Sequence, residues 1–318
     1  MVASLATHAR PRPASAWRSS RSARAHAATS SSSASSSAPK PKPYRASLNA
    51  HVPSPLNYNP LPERVNLVIN LDRREDRLEA LQKLYFPFHW TRLAAVDGRQ
   101  LSWDGGEVTR MVRPDAIHEA RWAETSGVPT ICQRTGSFSP HLTLGAVGTA
   151  LSHRKAWQTL VGCSDGCDYA LVMEDDLSGL SLDFERKIER IIQQLPASWQ
   201  ICYLGYHEST GKVLGSFTPM IMEVKSPAAI TGLFGYLLHK RGAKPLLNGT
   251  SVFPLRHQID VAMSMHPWPK GSRWALIPEG TIITSPKSEV GKCDTDVQTL
   301  GRKSERAHER LPNQMLLL

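Results

Sequence analysis

The chain has 318 residues, with 38 Lys or Arg against 28 Asp or Glu, a formal charge of +10. The excess is local: residues 1–62 hold eight basic residues and no acid, leaving 30 basic against 28 acidic groups in the remainder. A basic isoelectric point confined to one end gives no ground for nucleic-acid binding by the rest, which is long enough for one large α/β domain or two small ones.

No stretch approaches the ~20 consecutive apolar residues of a membrane-crossing helix. The five cysteines (Cys132, Cys163, Cys167, Cys202, Cys293) are odd in number. Cys163 and Cys167 form a lone C-x3-C without the second pair that a zinc site requires. Residues 1–60 are rich in Ser, Ala, Arg and Pro and cannot bury enough apolar surface to offset their conformational entropy, so disorder is expected there. The segment lacks the apolar centre of a secretory signal. An organelle transit peptide and an untargeted extension both fit it, and the compartment stays unassigned. Asn248-Gly249-Thr250 matches a glycosylation sequon, but the missing signal argues against using it.

The folded region is expected over 61–300, followed by a polar tail at 301–318. Val65 to Ile69 reads as a first strand. Asp72 with Glu75 has the spacing of a capping box, and Leu78, Leu81, Leu84 and Tyr85 then recur at helical intervals. Arg73, Arg74 and Arg77 crowd the first turn of that helix, where the macrodipole disfavours cations. Either a bound anion such as a nucleotide diphosphate or a plain solvated face accounts for them. Trp90 to Val96 reads as a second strand ending in the turn Asp97-Gly98. Residues 99–140 read as a long irregular connection.

Leu144 to Val161 carries Val147, Leu151, Trp157, Leu160 and Val161 on one side of a helix. Gly145 and Gly148 in its opening turns permit close backbone approach, and Ser152-His153 is its polar feature. Tyr169 to Met173 is a run of five apolar residues, the pattern of a short buried strand. It leads directly into Glu174-Asp175-Asp176. Ligands of open α/β sheets bind at the carboxyl ends of strands. Three adjacent carboxylates there repel one another and call for a counter-ion such as Mg2+ or Mn2+, whose coordination a diphosphate would share; a solvated acidic turn is the plainer alternative. Phe184, Ile188, Ile191, Ile192 and Leu195 mark an amphipathic helix stopped by Pro196. Strands at Gln200–Gly205, Leu233–Leu238 and Trp274–Ile277, with a short helix from Arg241 to Leu247, complete the pattern. Alternating strands and helices imply an α/β fold with a mostly parallel sheet flanked by helices.

These segments together resemble glycosyltransferase family 25, which includes lipopolysaccharide galactosyltransferases and procollagen galactosyltransferases. The resemblance is carried by Ile69-Asn70-Leu71 with Arg77, Arg92, Val96-Asp97-Gly98, Gly145, Gly148, Ser152-His153, Trp157 and Met173-Glu174-Asp175-Asp176-Leu177 with Phe184. It continues through Trp199, Tyr203-Leu204-Gly205, Gly235-Tyr236-Leu237, Gly242-Ala243, Ile259-Asp260 and Asp294-Thr295-Asp296. The family usually has Glu and Cys where this chain has Ala146 and Thr149, and Ser where it has Cys293, which leaves open an altered substrate or a weakened enzyme.

The resemblance implies a GT-A type nucleotide-diphospho-sugar transferase fold, with Glu174-Asp175-Asp176 as its DxD motif. By the same carry-over, Asp176 binds the metal (Mn2+ or Mg2+), while Glu174 and Asp175 lie toward the nucleoside. Asn70 and Asp97 join the nucleotide side, Arg77 the phosphates, and His153 lines the active site. Asp260 is the expected general base of an inverting transfer, an acceptor-orienting carboxylate being the alternative. The implied partners are a nucleotide-sugar donor, UDP-galactose foremost, and a glycan or protein acceptor. A catalytically silent glycosyltransferase-like domain and a nucleotide-sugar hydrolase remain alternative readings.

Overall fold

The computed structural model describes residues 63–128, 141–163, 166–210, 221–225, 229–277 and 281–285. In chain order the elements are β1 (Glu63–Asn70), α1 (Glu75–Lys83), β2 (Thr91–Ala94), a 3-10 turn (Gly98–Gln100), α2 (Gly106–Met111), α3 (Pro114–Thr125), α4 (Leu144–Gly162) and β3 (Cys167–Glu174). Then come β4 (Gly179–Leu180), α5 (Phe184–Gln194), β5 (Ile201–Gly205), β6 (Glu208–Thr210), β7 (Ile221–Glu223), β8 (Ala229–Thr231) and β9 (Gly235–His239). The last are α6 (Lys240–Asn248), α7 (Ile259–Met265), β10 (Arg273–Leu276) and β11 (Ile283–Thr284).

Seven strands form one sheet in the order β2-β1-β3-β9-β5-β10-β7. Pairing is parallel from β1 to β2 and β3 and from β5 to β10. It is antiparallel where β9 joins β3 and β5, and where β7 joins β10. Five of the seven strands therefore run one way, as the βα alternation requires, and Asn70, Ala94, Glu174, Gly205 and Leu276 end at one edge. Two small ribbons, β4 with β11 and β6 with β8, lie outside this sheet.

Alternation along the strands divides the core into two layers. Leu67, Ile69, Ala170, Val172, Tyr203 and Tyr236 share one layer with Val147, Leu151, Trp157 and Leu160 of α4. Val68, Tyr169, Leu171, Met173 and Leu204 share the other with Leu81 of α1 and with Phe184, Ile188 and Ile191 of α5. A strand covered on both faces reads as an unbroken apolar run, which is why Tyr169–Met173 was legible.

Two local expectations are corrected. Residues 99–140 are not irregular where they are described: the 3-10 turn, α2 and α3 occupy much of the segment. Pro114 opens α3 at a position where a missing N–H costs nothing, and its buried face is Ala116, Ala120 and Ala123. A face of alanines has helical spacing but little apolar contrast, so periodicity did not mark it. The capping box does not form either. Helix α1 starts after Arg74 with no side-chain cap, and Asp72 pairs instead with Arg92 on β2.

The carboxyl edge is fixed by an unusually close approach. The hydroxyl of Ser152 accepts from Val96 N–H at 2.8 Å and donates to Gly148 O at 2.7 Å, pinning the turn after β2 to α4. A methyl group on Gly148 would stand 2.6 Å from Val96 O and 2.9 Å from Gly98 N. Both neighbours are backbone and cannot swing aside. Among the described residues no helix is long and apolar enough to cross a membrane. Gly148→Ala should therefore destabilise the protein by about 1–3 kcal/mol, the usual cost of overpacking, read as a lower urea midpoint with unchanged slope. An unchanged midpoint would mean that the turn relaxes freely.

Candidate active site

Strand β3 delivers three consecutive carboxylates to the carboxyl edge, and the fold gives each a different environment. Asp175 is 8% exposed. Its Oδ2 accepts from Asn70 Nδ2 at 2.7 Å and its Oδ1 from Arg77 Nη1 at 2.7 Å. Asn70, at the end of β1, is itself buried, and its Oδ1 accepts from Arg92 Nε at 2.8 Å. A carboxylate on one side and a guanidinium on the other determine which way its amide points. Asp175 is thus a clamp tying β3 to β1 and α1, with both oxygens engaged by the protein itself.

Asp176 is different. The residue as a whole is half-buried, but its Oδ1 is sealed from solvent and has no hydrogen-bond donor. Burial, reinforced by the charge of Glu174 and opposed by Arg77, pushes its carboxyl up to about 7. The side chain of Glu174 is 27% exposed, and its Oε1 lies 3.0 Å from His153 Nε2.

Asp260 stands in the first turn of α7, where Oδ1 accepts from Val261 N at 2.7 Å and Oδ2 from Gly232 N at 3.2 Å. Burial raises its proton affinity against those two N–H groups, and the charge of Glu174 adds to the rise. Glu174 is near enough to both Asp176 and Asp260 to oppose their ionisation. The sequence-predicted acids Glu174, Asp176 and Asp260 therefore belong to one electrostatic cluster.

Other expected site residues have protein partners. Arg77 was expected on phosphates and is paired with Asp175. Asp97 was expected toward the nucleoside; it caps the 3-10 turn through Arg99 N at 3.0 Å and pairs with Arg73 at 3.0 Å. Arg73, Arg74 and Arg77 each face a carboxylate, Asp97, Asp76 and Asp175 respectively. His153, expected to line the site as a catalytic group, is fully buried with both ring nitrogens engaged, so it touches Glu174 rather than the solvent side. Tyr236, which sequence reasoning treated as a strand residue, holds its other nitrogen at 2.9 Å. A buried tyrosine ordinarily finds a partner for its hydroxyl, and that was the available signal. Ala146 is buried and Thr149 turns its hydroxyl onto Gly145 O, so neither supplies charge to the cluster.

The residues fit a hard cation in one respect. Asp176 Oδ1 is a buried, unpartnered carboxylate oxygen, the kind of donor such an ion takes. Among the described residues no three His, Cys, Asp or Glu side chains converge on one metal position. Asp294 and Asp296 lie outside the described residues. A cavity lined by Glu223, Lys225, Trp268 and Arg273 sits at the opposite, amino-terminal edge of β5 and β10, away from Glu174, Asp175, Asp176 and Asp260.

A family model described as glycosyltransferase family 25 (LPS biosynthesis protein) matches residues 63–263, from the start of β1 through α7. No curated protein matches the chain at a significant level.

The strained acid gives a pH prediction. Asp176 titrates near 7 when folded against 3.8 in an open chain, so its favourable contribution is complete below about pH 4 and is lost as pH rises through 7. Melting curves in a chelator should fall over that interval, and Asp176→Asn should flatten the fall and melt higher than the parent above pH ~8. Parallel curves for the two proteins would remove the assignment.

Proposed function

This chain belongs to glycosyltransferase family 25, and from that we propose that it moves a sugar, galactose from UDP-galactose foremost, to a hydroxyl of a glycan or protein acceptor with inversion. It is a glycosyltransferase with a sugar donor and an acceptor. What supports a metal-dependent donor site is the sealed Oδ1 of Asp176 beside a partly exposed Glu174.

In this reading the chain has a GT-A type arrangement in which Glu174-Asp175-Asp176 acts as a DxD motif, and Asp176 holds Mn2+ or Mg2+. The ion, when bound, neutralises charge on the departing diphosphate. Asp175 holds the strand end in place, and Glu174 faces the donor. Asp260 acts as general base: it takes the proton of the acceptor hydroxyl as that oxygen bonds to the anomeric carbon and the bond to UDP breaks. A raised proton affinity suits that task, because a base must hold the proton it removes. The two backbone N–H groups on Asp260 leave each oxygen a further lone pair.

The test is thermal melting of the full chain with and without Mn2+ against a panel of nucleotide-diphospho sugars. A ligand that binds the folded state alone raises the melting temperature by mass action. The expected result is a shift with UDP-sugar that requires Mn2+ and disappears in Asp176→Ala. Asp260→Asn should keep the shift while lowering kcat by about 10²–10⁴-fold. No shift with any donor in a folded protein would favour a silent domain, and full activity of Asp260→Asn would remove it as the base.

A further inference from the structure

The support behind Glu174 extends through three more residues. Trp157 Nε1 donates to the hydroxyl of Tyr236 at 3.0 Å, that hydroxyl lies 2.9 Å from His153 Nδ1, and His153 Nε2 lies 3.0 Å from Glu174 Oε1. Trp157, Tyr236 and His153 are each 0% exposed, so water cannot replace a lost partner.

The chemistry of the groups orients this chain. An indole is a donor and never an acceptor, so the Tyr236 oxygen accepts from Trp157. Burial holds the phenol far above its ordinary range, so it keeps its one hydrogen. That hydrogen points to Nδ1 of His153. A nitrogen that accepts carries no hydrogen, which places the hydrogen of the neutral ring on Nε2, facing Glu174. Turning the ring or moving its hydrogen would leave a buried donor unpaired.

We propose that Trp157, Tyr236 and His153 are positioning residues for the transfer: they hold Glu174 Oε1 by an imidazole N–H and leave Oε2 to accept from a hydroxyl of the bound donor. The inference rests on the donor reading above. It also explains why a histidine in the interior of α4 is tied to the end of β3. Neither His153 nor Tyr236 touches the ligand, and both act through Glu174.

Two measurements test it on the full chain. The first is the tautomer of His153, read from imidazole nitrogen shifts in 15N-histidine-labelled protein. The parent should show hydrogen on Nε2, facing the Glu174 carboxylate. The second is affinity for UDP with Mn2+. Tyr236→Phe should weaken it by about tenfold, the size expected for one mispositioned hydrogen-bonding carboxylate. The same change made in Glu174→Ala should cost less than about twofold, because coupled residues are non-additive. His153→Gln, which keeps a side-chain N–H, should retain affinity where His153→Leu loses it. Hydrogen on Nδ1 in the parent, or equal losses in both Glu174 backgrounds, would overturn the relay. Failure of the parent to bind UDP would instead overturn the donor reading and the positioning role with it, while the tautomer signal would still decide the hydrogen-bond relay itself.

Discussion

Three adjacent carboxylates at one strand end repel one another, and the carboxyl edge is arranged around that repulsion. The solution is to treat them unequally. Asp175 is paired with Arg77 and hydrogen-bonded by Asn70, Glu174 is held by the His153 imidazole, and Asp176 keeps a buried oxygen without any donor. On the metal-dependent reading proposed above, neutralising all three would leave nothing to bind a cation. Leaving all three unsupported would cost more than a loop of this kind could offset. The middle residue takes the structural part, and its neighbours on either side retain the capacity for chemistry.

The same edge depends on packing that looks unrelated to charge. Helix α4 supplies Gly148 and Ser152, which hold the turn after β2 against it, and one residue further on it supplies His153 to Glu174. A displacement of α4 would therefore move the Asp97 turn and the Glu174 support together. The helix ends before β3 begins, so one continuous piece of chain both supports the acidic strand end and leads into its strand.

Much of this was legible in the sequence because the signals were local. The apolar run of β3, the 3.6-residue spacing of α5 and the acids after Met173 are patterns within a dozen residues. What could not be read was partnership across distance. Asp175 meets Asn70 and Arg77 at separations of 105 and 98 residues, so nothing near it distinguished it from Asp176. Asp72 had the spacing of a helix cap, but Arg92, brought alongside by the parallel pairing of β1 and β2, provided a charged partner that a local cap lacks. His153 was placed at the site by the family resemblance alone, and its buried bond to Tyr236, 83 residues later, has no local signature. The alanine face of α3 was missed for a different reason: small side chains bury little area each.

The clamp on Asp175 also has a kinetic meaning. It closes when β1 and β3 pair in parallel with Ile69 opposite Glu174, and a slip of one residue would turn every side chain of a strand to the other layer. Parallel pairing over such a span must meet its loop-closure entropy before any contact rewards it, which makes it slow relative to local helix formation. The carboxylate cluster can form only once that pairing is in place. A chain emerging from the ribosome can form α1 early, but Arg77 and Asn70 wait about a hundred residues for the acid that completes them.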